Sequence, residues 1–233
     1  MIVWVASFPR SGNTFLRIVL HRLYGLRTSV VYDVDGVAAR VGVDLVGFEE
    51  RPASIDAMRA DGDPHLVKTH NPRDERIDDA DRAICLVRDG RDALVSWARQ
   101  RTEGDAPVFE AELRTRIDPP EEVGAGTWGP NVLSWLTPPA PHRRLLRYEE
   151  LVGDPTRAVT RTVAALLPEL TPSADARLPT FAELRLVDDR FFRRGHTGTH
   201  LDEMPDDLHQ LFWSRPDNAA AMRLLGYGPP PST

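Results

Sequence analysis

The chain has 233 residues, 27% of them charged, and a net charge of −6. That length suits one globular domain with a real core, and the acidic balance excludes a general polyanion-binding surface, so any anion site has to be a local basic cluster. The single cysteine, Cys85, lies in the apolar run 83–87, which excludes an internal disulfide framework and reads as a core thiol.

The first element is a buried strand over 2–7, followed by a turn from Phe8 to Gly12. A helix follows over 13–24, with Phe15, Leu16, Val19, Leu20 and Leu23 on one stripe and Gly25 as its stop. Residues 26–64 are weakly patterned. A second strand spans His65 to His70 and ends at Asn71-Pro72. A third spans Arg82 to Arg88, with Asp89 as the cap of a helix that runs through Ala98. Residues 101–142 are rich in Gly, Pro and acidic residues and read as a lid or substrate loop with some helix. A fourth strand spans Arg144 to Tyr148. Asp154-Pro155 then opens a helix to Leu167. Strands alternating with helices predict a parallel sheet covered on both faces. The domain is expected over 1–228, with 229–233 as a Pro-rich tail.

The apolar start, Met1 to Ala6, is too short for a signal peptide, and no stretch approaches the roughly 20 apolar residues of a membrane span. The expectation is a soluble, cytoplasmic protein without membrane or nucleic-acid partners. Of the 29 basic residues, one, Lys68, is lysine and the rest are arginine. The bias hints at a GC-rich bacterial source. It also singles out Lys68, because a compact ammonium and a wide guanidinium fork do not substitute for each other in a tight site.

Four segments carry chemistry. Ser7-Phe8-Pro9-Arg10-Ser11-Gly12-Asn13-Thr14 joins a strand to a helix N-terminus, where free amides and the dipole favour an anion. It is not a Walker A loop, which needs G-x-x-x-x-G-K-[ST]. Lys68-Thr69-His70 ends a strand, and alternation puts Lys68 and His70 on one face of it. A histidine there can serve as general base. Arg88 to Ser96 opens a helix, with Arg91 and Asp92 read as members of local salt bridges. Phe192-Arg193-Arg194-Gly195, followed by Gly198, pairs arginines with glycine in a loop, which suits phosphate.

In this order, the segments resemble the sulfotransferases that use 3'-phosphoadenosine-5'-phosphosulfate (PAPS). Ser7 to Phe15 resembles that family's 5'-phosphosulfate loop. Val87 to Ser96 resembles its 3'-phosphate motif, with Arg88 and Ser96 eight residues apart. Lys68 to His70 resembles the segment that carries its catalytic base. Arg147 to Leu151 resembles its Tyr-Glu-Asp stretch, which implies Tyr148 near adenine. Phe181 to Arg185 resembles its Phe-x-x-Met-Lys segment, and Phe192 to Gly198 its late Arg-Lys-Gly loop. Three positions depart from the family: Arg10 stands where many relatives have Lys, Phe15 where Trp is common, and His200 where the late loop often has Trp. The short dimer motif of the animal cytosolic enzymes has no match, so the oligomeric state stays open.

The resemblance implies a three-layer α/β fold with a central parallel sheet, akin to nucleotide kinases. It implies transfer of a sulfuryl group from PAPS to a hydroxyl or amine of a small acceptor such as a natural product, sugar or aromatic alcohol. The product would be adenosine 3',5'-bisphosphate (PAP), and no metal would be required. His70, Lys68 and Arg10 would be catalytic. Arg10, Ser11, Gly12, Asn13, Thr14, Phe15, Arg88, Ser96, Tyr148, Phe181, Arg193, Arg194 and Gly195 would bind PAPS. The alternatives are a P-loop-type kinase using ATP and a non-catalytic PAP-binding protein.

Overall fold

The computed structural model describes residues 1–33, 35–102, 106–192 and 195–228. The expected tail, 229–233, and the nominated Arg193 and Arg194 lie outside them. In chain order the elements are β1 (Ile2–Ser7), α1 (Asn13–Tyr24), β2 (Thr28–Val30), α2 (Gly36–Val41), α3 (Val43–Val46), α4 (Ile55–Ala60), β3 (His65–Thr69), β4 (Arg82–Val87) and α5 (Gly90–Thr102). They continue as α6 (Ala106–Ile117), α7 (Trp128–Leu136), β5 (Arg143–Arg147), α8 (Tyr148–Gly153), α9 (Pro155–Leu166), α10 (Phe181–Val187), α11 (His200–Glu203), α12 (Asp206–Ser214) and α13 (Pro216–Leu225).

The strands form one parallel sheet in the order β2-β3-β1-β4-β5. Alternation along β1 feeds two cores. Val3 and Val5 pack with Leu16, Val19 and Leu20 of α1 and Val159 and Val163 of α9. Ile2, Trp4 and Ala6 face the other way, onto Met58 of α4 and Trp135 of α7. A parallel sheet must be covered on both faces, and here it is, which makes three layers. Cys85 sits in the second core as expected, and burial pushes its thiol up to about 12. Asp154 caps α9 by accepting from the N–H of Arg157, with Pro155 in the first turn.

The parallel register brings Ala6 opposite Thr69, and Ser7 opposite Leu86. The carboxyl ends of β1, β3 and β4 therefore share one edge. β1 lies between β3 and β4, so the chain departs in different directions around the loop after β1, the kind of place where open α/β sheets hold ligands.

Two expectations need correction. The weakly patterned stretch 26–64 contains the edge strand β2, three residues long and too short for an alternation signal. Residues 101–142 were expected as a lid or substrate loop with some helix; the helices are there, as α6 and α7, but they pack into the core. Phe109, Leu113, Ile117, Trp128 and Val132 are buried with residues of α5, α12 and α13. The Gly and Pro residues that made this stretch look open fall mainly in the connection between the two helices and beyond α7. Gly90 opens α5 at van der Waals contact with Trp128, where a Cβ would sit 2.5 Å from the indole. No helix among the described residues is long and apolar enough to cross a membrane.

Candidate active site

The chain turns at Phe8 to Gly12 from β1 into α1. Gly12 supplies no side-chain cap, and the first turn holds no acidic residue, so the leading N–H groups of α1 face the loop without intrahelical partners. With the roughly half positive charge of a helix N-terminus, this forms a cradle for an anion. Glycine is required at position 12 on two counts: its φ is 96°, and a Cβ would fall 2.6 Å from the Tyr148 ring. Arg10 has a φ of 63°, which costs about 1–3 kcal/mol for a residue other than glycine. Its Nε donates to Ser96 Oγ at 3.3 Å and its guanidinium to the Phe191 carbonyl at 3.0 Å. Asn13 donates its amide to the Val5 carbonyl and to Ser7 Oγ, so its side chain braces the loop. Ser11 is buried beneath it, and its Oγ has no partner among the described residues.

The end of β3 presents the second group. His70 Nδ1 lies 2.8 Å from the Ser7 carbonyl. A carbonyl only accepts, so Nδ1 carries the proton and Nε2 keeps its lone pair. Burial holds the imidazole down to about 3, the nearby Lys68 charge adds to this, and the Ser7 carbonyl opposes it. His70 is thus neutral at pH 7 and able to accept a proton. Lys68 is 6% exposed. Burial brings its ammonium down to about 8; Asp35 pulls the other way and Arg17 adds to the lowering. Arg17 and Asp35 form a buried pair at 2.6 Å between α1 and the start of α2. Helix α7 supports this strand end from behind. Asn131 Nδ2 donates to the His70 carbonyl at 2.9 Å, and Trp135 Nε1 to the Asn71 carbonyl at 3.0 Å.

Arg88, just past β4, is enclosed on several sides. It donates to the Arg10 carbonyl at 3.2 Å and the His196 carbonyl at 2.9 Å, and its guanidinium lies 4.4 Å from the centre of the Tyr148 ring. Asp92 stands 3.8 Å away. The expectation of a local pair holds for Arg91, which binds Asp89 through two nitrogens. It holds for Asp92 too, in its i,i+4 pair with Arg88, but Asp92 does more. It accepts from the Gly198 N–H at 2.7 Å, the His200 N–H at 2.9 Å, the Thr199 hydroxyl and His200 Nδ1. Burial raises its carboxyl, but these donors and Arg88 outweigh burial and hold it at about 2. The late loop is tied to α5 through this one carboxylate.

The loop after β1, the end of β3, Arg88 and the late loop meet at one cavity of about 830 Å³. Arg10, Gly12, Asn13, Thr14, Phe15, Lys68, His70, Arg88, Ser96, Tyr148, Phe181 and Gly195, all nominated from sequence, line it. Ser11 does not. Gly195 lies against the Phe181 ring, 2.6 Å from where a Cβ would be. No described residue of 101–142 lines the cavity. Sequence reasoning missed Tyr32 and Asp35, which do line it, and the role of Asp92. Asp92 stood in a noted motif, but the partners it accepts hydrogen bonds from lie over a hundred residues away. Tyr32 and Asp35 fall in the stretch without periodicity and gave no signal.

A family model described as "Sulfotransferase domain" matches residues 2–166. Sulfotransferase 1A1 of Canis lupus familiaris is 22% identical over 195 residues, covering 78% of this chain and 65% of that protein. Sulfotransferase 1A1 of Bos taurus is 23% identical over 193 residues, with the same shares covered. The chain thus spans just under two thirds of the length of these relatives. Among solved structures, mouse sulfotransferase SULT7A1 complexed with PAP matches with a TM-score of 0.59 at 16% identity, over 97% of this chain and 89% of that one. Retinol dehydratase in a complex with retinol and PAP matches with a TM-score of 0.57 at 18% identity, over 95% and 81%. At these identities the likeness is one of fold.

Proposed function

The chain belongs to the sulfotransferase domain family, and we propose that it is a cytoplasmic enzyme that transfers a sulfuryl group from PAPS to a hydroxyl or amine of a small acceptor. The observation that carries this is the pairing of an anion cradle with a neutral base. The uncapped start of α1 and the proton-accepting Nε2 of His70 face one cavity from adjacent strand ends.

The residues fit such a donor. Free helix N–H groups, Arg10 and Arg88 at the cavity support an anion site in an acidic protein, with the orphaned Ser11 hydroxyl buried in the same loop. PAPS, when bound, supplies the sulfuryl group and a good leaving phosphate. His70 takes the acceptor's proton at Nε2. Lys68 and Arg10 offset the negative charge that develops around the sulfur. The β1 loop and β3 end would hold attacking and leaving groups in line, and positioning of this kind does most of the work in transfers of this type. Arg88 and Ser96, with Arg193 and Arg194, are assigned to the 3'-phosphate, Tyr148 and Phe181 to the adenine side, and Gly195 to the close approach of backbone.

Calorimetry with PAP and AMP tests the donor. Hydrogen bonds to a charged group contribute about 1.5–3 kcal/mol each, so PAP should bind roughly 10²–10⁴-fold tighter than AMP. Arg88→Ala should weaken PAP far more than AMP. Equal affinities in the wild type would overturn the choice of donor. Turnover is tested with PAPS and an acceptor panel, read by mass spectrometry for the gain of one sulfuryl group. Tight PAP binding with no gain on any acceptor would mark a non-catalytic binder.

A further inference from the structure

The segment after the edge strand β2 reaches across the end of β3. The Lys68 ammonium lies 4.7 Å from the centre of the Tyr32 ring. The Tyr32 hydroxyl oxygen accepts from the backbone N–H of His70 at 2.5 Å. Tyr32 also lines the cavity. One side chain, from a stretch without any motif, therefore touches both members of the Lys68–His70 pair at the point where β3 leaves the sheet.

We infer that Tyr32 is a positioning residue for that pair: its ring face seats the Lys68 ammonium, and its hydroxyl fixes the backbone at His70. An aromatic face attracts a cation through the ring quadrupole, more strongly where water is excluded. The His70 N–H follows the last ladder residue of β3, so without the Tyr32 oxygen it would have no strand partner. What Lys68 and His70 do chemically rests on the sulfuryl-transfer proposal. How Tyr32 holds them does not.

Lys68 is the only lysine in the chain, so protein labelled with [13Cε]lysine shows one resonance. Its titration reads the Lys68 ammonium directly, with no donor or acceptor present. The titratable groups around it are Asp35 before α2 and Arg17 on α1, with His70, neutral in this range, just past the end of its own strand. The wild type should titrate near 8. Tyr32→Phe keeps the ring and should titrate within about 0.3 pH units of that. Pentafluorophenylalanine at position 32 nearly keeps the shape and reverses the sign of the quadrupole, so the midpoint should fall by about one pH unit relative to Tyr32→Phe. An unchanged or raised midpoint would overturn the seating of Lys68. The hydroxyl is read by amide exchange. In Tyr32→Phe the His70 amide should exchange at least about tenfold faster, with the amides of the β1–β3 ladder unchanged. Equal exchange at His70 would overturn the second half. Because neither measurement needs PAPS, failure here and failure of PAP to bind are separate results.

Discussion

Asp92 and His200 are 108 residues apart and hydrogen-bonded at 2.7 Å in the interior. The same carboxylate holds the backbone of residues 198 and 200 and stands beside Arg88. Loop and arginine are thus oriented by one buried charge.

Asp92→Asn should therefore do more than lower stability. The amide keeps one acceptor and turns a donor toward N–H groups that already donate. The expected loss is about 1–3 kcal/mol of stability, with faster amide exchange at Gly198 and His200 and PAP affinity at least tenfold weaker. A variant that melts lower but binds PAP as tightly as the wild type would reduce Asp92 to a purely structural role.

Gly12→Ala should be severe, because strain and collision coincide. The left-handed φ costs an alanine about 1–2 kcal/mol, and the new Cβ meets the Tyr148 ring at 2.6 Å, which adds about 1–3 kcal/mol. Replacing Tyr148 with Leu in the same chain should recover the second part only. Strictly additive effects in that double-mutant cycle would show that the two residues do not touch.

Lys68→Arg tests compactness. The ammonium is nearly enclosed, between Tyr32 and the strand end, and a guanidinium is wider and planar. Turnover should fall at least tenfold while the chain stays folded. Wild-type turnover in this variant would mean that charge alone suffices.

The pH dependence of stability should carry the mark of His70. Its imidazole titrates at about 3 in the folded chain and near 6.5 when unfolded. Between those values the unfolded chain holds the extra proton, so stability falls as pH drops through that window. From pH 7 to 4.5 the wild type should lose more melting temperature than His70→Gln, which has no proton to gain. Parallel curves for the two proteins would place His70 in contact with solvent.

Local chemistry along the chain was enough to determine β1, α1, β3, β4, α9 and the cradle at Arg10 to Phe15. An apolar run, a stripe at helical spacing, a glycine stop and an Asp-Pro cap all act within a few residues. Lys68 was visible because it is unique, and His70 because alternation places it on the same face. What brought the distant segments together was the parallel register, which aligns the ends of β1, β3 and β4. Only the tertiary structure decided that α6 and α7 are core helices, since their burial depends on α12 and α13 packing against them. It alone decided the work of Tyr32, Asp92 and Asn131 as well. Each acts through hydrogen bonds or a ring contact across a large separation in the chain, and such contacts leave no period, cap or composition in the sequence.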